Sequence, residues 1–284
     1  MIELKRTVRL CIGTSSGAGS TLPPQMTRRS NTFSAWPAMR GLGRYLEIDV
    51  TCHGHIETET GYMRNINQID EAVRDHVLGY LEDLVSGPED PAGIALGETM
   101  RTILRRLEPP LQDTVACLCL RLTPYFSLEI RSDGMNHITV GQQYEFAAAH
   151  RLHQTHLADE KNRQLFGKCN NAAGHGHNYR IEVSVRAPID PAGHVFAVEE
   201  LDNLVADHVL EKLDHKHLNI DVPEFADRNP SVENIAQVIW SLLEDKLDGL
   251  GSIAGAQLEQ ITVWETAKTA CTYRGKQQAG GADN

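Results

Sequence analysis

Asp75-His76-Val77-Leu78 recurs word for word as Asp207-His208-Val209-Leu210, 132 residues further along the chain. Upstream of the first copy, Ile48-Asp49-Val50-Thr51 resembles Ile181-Glu182-Val183-Ser184 at an offset of 133; downstream, Glu98-Thr99-Met100 lines up with Glu233-Asn234-Ile235 at 135. One four-residue match can be chance. Three matches in order, with an offset that drifts only as short loop insertions would make it drift, indicate an internal repeat. The chain therefore reads as two copies of one domain, residues 1–134 and 135–276, followed by a polar, Gly-rich tail, 277–284, expected to be disordered.

Both copies carry one pattern of elements. In the second, His137–Ala149 and Tyr179–Arg186 read as strands, the latter from the alternation of Ile181, Val183 and Val185. Pro188 to Gly193 reads as a hairpin turn, with Val195–Val198 returning as the next strand. Leu201, Leu204, Val205, Val209 and Leu213 then mark one face of a helix. After a loop at Asn219–Asn229, Pro230-Ser231 opens a second helix buried through Ile235, Ile239, Leu242 and Leu243. Ile261–Trp264 is the last predicted strand. In the first copy Ile69, Val73, Val77 and Leu81 mark one helix, and Met100, Ile103, Leu104 and Leu107 the other. Two amphipathic helices against one face of an antiparallel sheet make an α+β domain, here in tandem.

Composition narrows the function. With 41% hydrophobic and 23% charged residues among 284, the chain has the make-up of a globular protein. A net charge of −11 argues against nucleic acid or an anionic membrane as partner. No apolar run approaches the roughly 18 residues of a membrane span, and the N-terminus does not read as a signal peptide. Six scattered cysteines form no disulfide framework, so a reduced, cytoplasmic protein is expected.

The chemistry concentrates in Gly167-Lys168-Cys169-Asn170-Asn171-Ala172-Ala173-Gly174-His175-Gly176-His177-Asn178-Tyr179. Side chains two apart on a strand share a face, so His175 and His177 can reach one ion. His150, ending the preceding strand in Phe146-Ala147-Ala148-Ala149-His150-Arg151-Leu152, is the candidate third ligand. Three imidazoles with an open fourth position describe a catalytic rather than a structural zinc site.

Phe146–Leu152, Cys169-Asn170-Asn171 through His177-Asn178-Tyr179, Leu213-Asp214-His215-Lys216, Ser231-Val232-Glu233-Asn234 and Trp264-Glu265-Thr266 together resemble the 6-pyruvoyltetrahydropterin synthase family. The resemblance covers nearly all of the second copy, in order and in spacing. It implies the T-fold, an antiparallel sheet with two helices on one side, assembled through its sheets into homo-oligomers with sites near subunit interfaces. It implies Zn2+ on His150, His175 and His177, Cys169 as catalytic thiol, and Asp214 and His215 as its acid–base partners. It also implies Glu265 as anchor of a pterin substrate and Glu233 as a further pocket residue. The expected activity is a carbon–oxygen lyase acting on 7,8-dihydroneopterin triphosphate. A 6-carboxytetrahydropterin synthase of queuosine-type biosynthesis is the alternative, and a non-catalytic pterin-binding protein a third reading from another class.

The first copy keeps the scaffold and loses the chemistry. Thr32–Pro37 resembles Phe146–His150 with Trp36 or Pro37 in the histidine's place, and Met39 to Tyr45 holds neither histidine nor cysteine. Leu81-Glu82-Asp83 replaces Leu213-Asp214-His215, and Leu122-Thr123 replaces Glu265-Thr266; Glu98 alone remains, opposite Glu233. Cys52-His53-Gly54-His55 imitates the metal motif, but the repeat sets it against Val185–Pro188, at the far end of the strand.

Overall fold

A computed structural model describes residues 1–13, 42–88, 90–251 and 254–275. The chain forms two compact units, Met1–Val140 with Pro188–Val195, and Gly141–Ala187 with Phe196–Asn284. The suggested histidine replacement at Thr32–Pro37 and the tail 277–284 lie outside the described residues.

In the first unit β1 (Ile2–Ile12), β2 (Arg44–Gly54), β3 (Val115–Arg121) and β4 (Phe126–Arg131) follow one another across an antiparallel sheet. Helices α1 (Ile66–His76), α2 (Leu78–Ser86) and α3 (Leu96–Leu107) intervene between β2 and β3. Strand β1 was not foreseen, although its sequence alternates cleanly: Val8, Leu10 and Ile12 are buried, while Lys5, Thr7 and Arg9 point the other way.

In the second unit β5 (His137–His150) is followed by α4 (Asp159–Phe166), a short helix absent from the sequence reading, and by β6 (His175–Pro188). Helix α5 (Val198–Val205) continues through a π turn, Ala206–Leu210, into α6 (Glu211–Leu213). Then come β7 (Lys216–His217), α7 (Leu218–Asp221), α8 (Val232–Leu243), β8 (Gln257–Thr266) and β9 (Thr269–Tyr273). The sheet order is β5-β6-β8-β9, with the short β7 beside β5. Ser231 caps α8, its side chain accepting from the N–H of Asn234, and the acidic Glu233 lies in the first turn.

Two details differ from expectation. Val195–Val198 forms no strand, since β6 is already flanked by β5 and β8 and leaves no edge for a returning partner. Residues 190–193 do turn, with Asp190 accepting the N–H of His194 on its side chain. The sequence reading also ended the sheet at Trp264, yet β9 pairs with β8 through Thr272, Cys271 and Ala270.

The matched blocks of the repeat occupy matching elements: β2 and β6, the first long helix, and the start of α3 and α8. The identical tetrapeptide marks an irregularity in both copies. Buried residues fall four apart, at Ile69, Val73, Val77 and Leu81 and at Leu201, Val205, Val209 and Leu213. An unbroken α-helix turns about 100° per residue, so each step of four would carry the stripe roughly 40° away from the core. The break at Val77, with φ −115°, and the wider π turn at Ala206–Leu210 take up that drift.

The outward sheet face of the first unit carries an ion network. Asp49, 2% exposed, accepts from Lys5 Nζ at 2.7 Å, Thr7 Oγ1 at 2.5 Å and Arg121 at 2.6 Å. Burial pushes its carboxyl up, but these three partners together hold it below the ordinary value. A carboxyl depressed in the folded state adds stability above its unfolded value of about 3.9, and loses it as pH falls through the folded value. Asp49→Asn should therefore lower the unfolding free energy by about 2 kcal/mol at neutral pH, below the usual cost of a broken buried pair because Lys5 stays half-exposed. Denaturant titrations across pH should show the gap between the two proteins closing in acid; a gap independent of pH would contradict the assignment.

Candidate metal centre

Three strand ends meet at one edge of the second unit. β5 finishes at His150, β6 begins at His175, and β8, antiparallel to β6, brings Glu265 alongside. Phe146, Ala148 and His150 form the buried row of β5, and Tyr179, Ile181, Val183 and Val185 that of β6. His175 and His177 extend the β6 row by the same period of two, so their rings turn toward His150.

One ligand atom from each of the three histidines lies within 4.8 Å of the others, and the Nε2 atoms of His150 and His175 are 3.1 Å apart. His150 is fully buried and its Nδ1–H donates to the carbonyl of Pro230 at 2.7 Å, which fixes the tautomer and leaves the Nε2 lone pair free. Burial pushes the basicity of His150 down, as does its neighbour His175, against the opposing pull of Pro230. Burial and then His177 act on His175 in the same direction. Neutral imidazole is the form that binds a metal. His177 Nε2 is buried without a hydrogen-bond partner, one of seven such side-chain atoms among the described residues and the one of them that faces both other histidines of the cluster. An ion accepting all three lone pairs fits this donor set.

The carboxylate of Glu265 lies 3.6 Å from His150 Nε2 and 3.7 Å from His177 Nε2. Tyr179, two residues beyond His177 and on the same face, is fully buried, stacks on Phe146 and reaches His150 Nδ1 at 3.3 Å. Burial pushes its phenol up, and the charges of Glu265 and Cys169 add to that. Tyr179 was not singled out from the sequence, though the same period of two indicates it. Cys169 sits half-buried on a short 3-10 turn, Gly167–Asn170, rather than on a strand, and its carbonyl accepts from the N–H of Leu152.

Asp214 and His215 follow α6. One Asp214 oxygen accepts from the N–H of Ala147 at 2.8 Å, and the other lies 2.7 Å from His215 Nδ1. These two contacts, in that order, hold the carboxyl below its ordinary value. The N–H of His215 donates to Ala147 at 2.6 Å, completing a clasp on the edge of β5. His215 has φ +56°, a left-handed conformation that costs a side-chain-bearing residue about 1–2 kcal/mol, and its ring is 83% exposed. It lines an open cleft of about 670 Å³ together with His177, Asn178, Lys216 and His217.

A family model described as 6-pyruvoyl tetrahydropterin synthase matches residues 139–276. The 6-pyruvoyl tetrahydrobiopterin synthase of Poecilia reticulata is 43% identical over 133 residues, which are 46% of this chain and 86% of that protein. The Homo sapiens protein of the same name is 41% identical over 138 residues, 48% of this chain and 91% of that one. A solved structure of Caenorhabditis elegans 6-pyruvoyl tetrahydropterin synthase aligns with a TM-score of 0.44 and 36% identity, over 49% of this chain and 96% of the other. The chain belongs to the 6-pyruvoyl tetrahydropterin synthase family.

Within that family's half of the chain, Glu233 is no member of the histidine cluster. It is exposed on the first turn of α8, where its charge, after burial, helps raise the Cys271 thiol of β9. Among the described residues, the first copy offers no equivalent centre. At the offset of 133, His175 and His177 correspond to Leu42 and Arg44, and β1 carries no histidine. Glu98 is engaged by Arg101 and Arg105 of its own helix. His53 pairs with Glu3 at the end of β2, and Cys52 is buried. Among the described residues, His150, His175 and His177 are the one group of three candidate ligands brought together.

Elemental analysis of the purified chain should accordingly give one tightly bound metal per chain, lost in His150→Ala; two would place a site in the first copy. At His215 the backbone conformation makes a separate forecast. His215→Gly should raise the unfolding free energy by about 0.5–1 kcal/mol. Calorimetry showing a destabilised variant would mean that the clasp outweighs the backbone strain.

Proposed function

We propose that the chain is a zinc-dependent lyase of the 6-pyruvoyltetrahydropterin synthase type, converting 7,8-dihydroneopterin triphosphate to 6-pyruvoyltetrahydropterin with release of triphosphate. The observation that carries this reading is the convergence of His150, His175 and His177 on one point beside Glu265. The names of the relatives support it. Residues 135–276 form the catalytic copy, and residues 1–134 act as a non-catalytic partner domain.

Three imidazoles and an open position suit zinc, which when bound polarises the hydroxyl oxygens of the substrate side chain and acidifies the neighbouring C–H. Cys169, as thiolate, removes the carbon-bound proton. Asp214 holds His215 by Nδ1, leaving Nε2 to move protons during the tautomerisations that expel triphosphate. Glu265 accepts from the pterin amino group and ring N–H, and Glu233 supplies a further carboxylate in the pocket.

His215 lies at the outer edge of β5, where β7 pairs with Ala148 and Ala149, and its ring is exposed. That position suits a homo-oligomer in which the pair serves a site shared with a neighbouring subunit. The free thiols suit a reducing, cytoplasmic setting.

Five residues separate Cys169 from His175, which favours the pyruvoyl-forming over the carboxy-forming type. Incubation with dihydroneopterin triphosphate and identification of the product by mass should give 6-pyruvoyltetrahydropterin. A carboxypterin would establish the alternative, and binding without turnover a pterin-binding protein. Cys169→Ala should retain the metal and lose at least about 100-fold in kcat, the scale of a lost general base. Undiminished turnover would take the thiol out of the mechanism.

A further inference from the structure

Residues 151–154, between β5 and α4, belong to no helix or strand, yet asparagine side chains take up their backbone one residue after another. Asn219 accepts the N–H of Arg151 at 2.8 Å and donates to its carbonyl at 3.0 Å. Asn170 donates to the carbonyl of Leu152 at 2.8 Å and lies 3.0 Å from His153 Nδ1. Asn229 accepts the N–H of His153 at 2.8 Å. Asn162, fully buried, accepts the N–H of Gln154 at 2.8 Å and donates to its carbonyl at 2.9 Å. The remaining N–H, that of Leu152, goes to the carbonyl of Cys169 at 2.9 Å.

A carboxamide offers a donor and an acceptor in the arrangement of a peptide group, so each asparagine replaces a missing strand partner. A loop usually meets this need with water and moves accordingly. Here the need is met by side chains drawn from α4, the Cys169 turn, α7 and the corner before α8. The segment is thereby a rigid strap. It leaves His150 at one end, and the Cys169 turn is bonded to its middle.

We propose that Asn219 and Asn170 are positioning residues of the centre, Asn219 for the ring of His150 and Asn170 for the thiol of Cys169. Asn219 grips the residue directly after His150, so losing it frees the strand end and the aim of Nε2. Asn170 adjoins Cys169 in sequence and locks the 3-10 turn to Leu152, so losing it frees the thiol while the metal ligands stay in place. The second assignment rests on the catalytic reading of Cys169; the first does not.

The two residues should produce separate signatures in the full-length, zinc-loaded chain. Asn219→Ala should weaken zinc about tenfold in competition with a chelator, with the rate of Cys169 alkylation by iodoacetamide, read by peptide mass, unchanged. Asn170→Ala should leave zinc affinity unchanged, lower kcat about tenfold at constant KM, and alter the alkylation rate. A general loosening of the fold would instead move zinc affinity and kcat together in both variants, and that result overturns the proposal, as does no change in either. Should alanine prevent folding, Asn219→Asp and Asn170→Ser retain one polar partner and carry the same readouts. Normal turnover by Asn170→Ala beside an inactive Cys169→Ala refutes the positioning role; normal turnover by Cys169→Ala refutes the catalytic reading itself.

Discussion

The hydrogen bond from His150 Nδ1–H to the carbonyl of Pro230 is the constraint on which the histidine cluster depends. A fully buried imidazole must satisfy both nitrogens or bear the cost of an unpaired polar group. By committing Nδ1 to the backbone, the protein directs Nε2 toward His175 and His177, while burial lowers the basicity of the ring against the pull of that same bond. The same contact ties the end of β5 to the corner that starts α8, where Ser231 caps the helix. A local need for one acceptor thus sets the distance between sheet and helix at the edge where chemistry is expected.

The repeat shows what scaffold and site each require. Both copies retain the four-residue stripe of buried side chains and the helix irregularity that keeps it facing the core. Core packing enforces that pattern wherever the fold is kept, whether or not a ligand is bound. In the first unit, the outward face of β2 carries Asp49 in a saturated ion network, whereas Glu182 at the matching place on β6 accepts from the amide of Gln143. The polar faces of the two strands differ while their buried faces are alike.

How far the sequence could be read follows from the same division. The helices and β6 were legible because burial imposes a period on the chain, and Val73, Val209, Ile103 and Ile239 register it directly. His175 and His177 were legible because two residues on one strand face need no tertiary information to be neighbours. Where partners come from distant segments, the sequence carried no local mark. The absence of a strand at Val195–Val198 reflects an edge already occupied by β8, and β9 is a strand because β8 offers its other edge. Glu265 was read as a substrate anchor, but its approach to two imidazoles depends on how β8 aligns with β6.

The asparagines around residues 151–154 carry this reasoning further. Isolated asparagines in polar loops usually signal turns, and nothing in their spacing, at 162, 170, 219 and 229, suggests a common target. Their common role arises because the ladder of β5 ends at His150, so the backbone groups of residues 151–154 have no strand partner. The backbone groups left over then need acceptors and donors from elsewhere, and water would supply them at the expense of rigidity. Side-chain amides supply them without that loss. Precision at an active centre is in this way a hydrogen-bonding problem of the loop behind the ligands, as much as a matter of the ligands themselves.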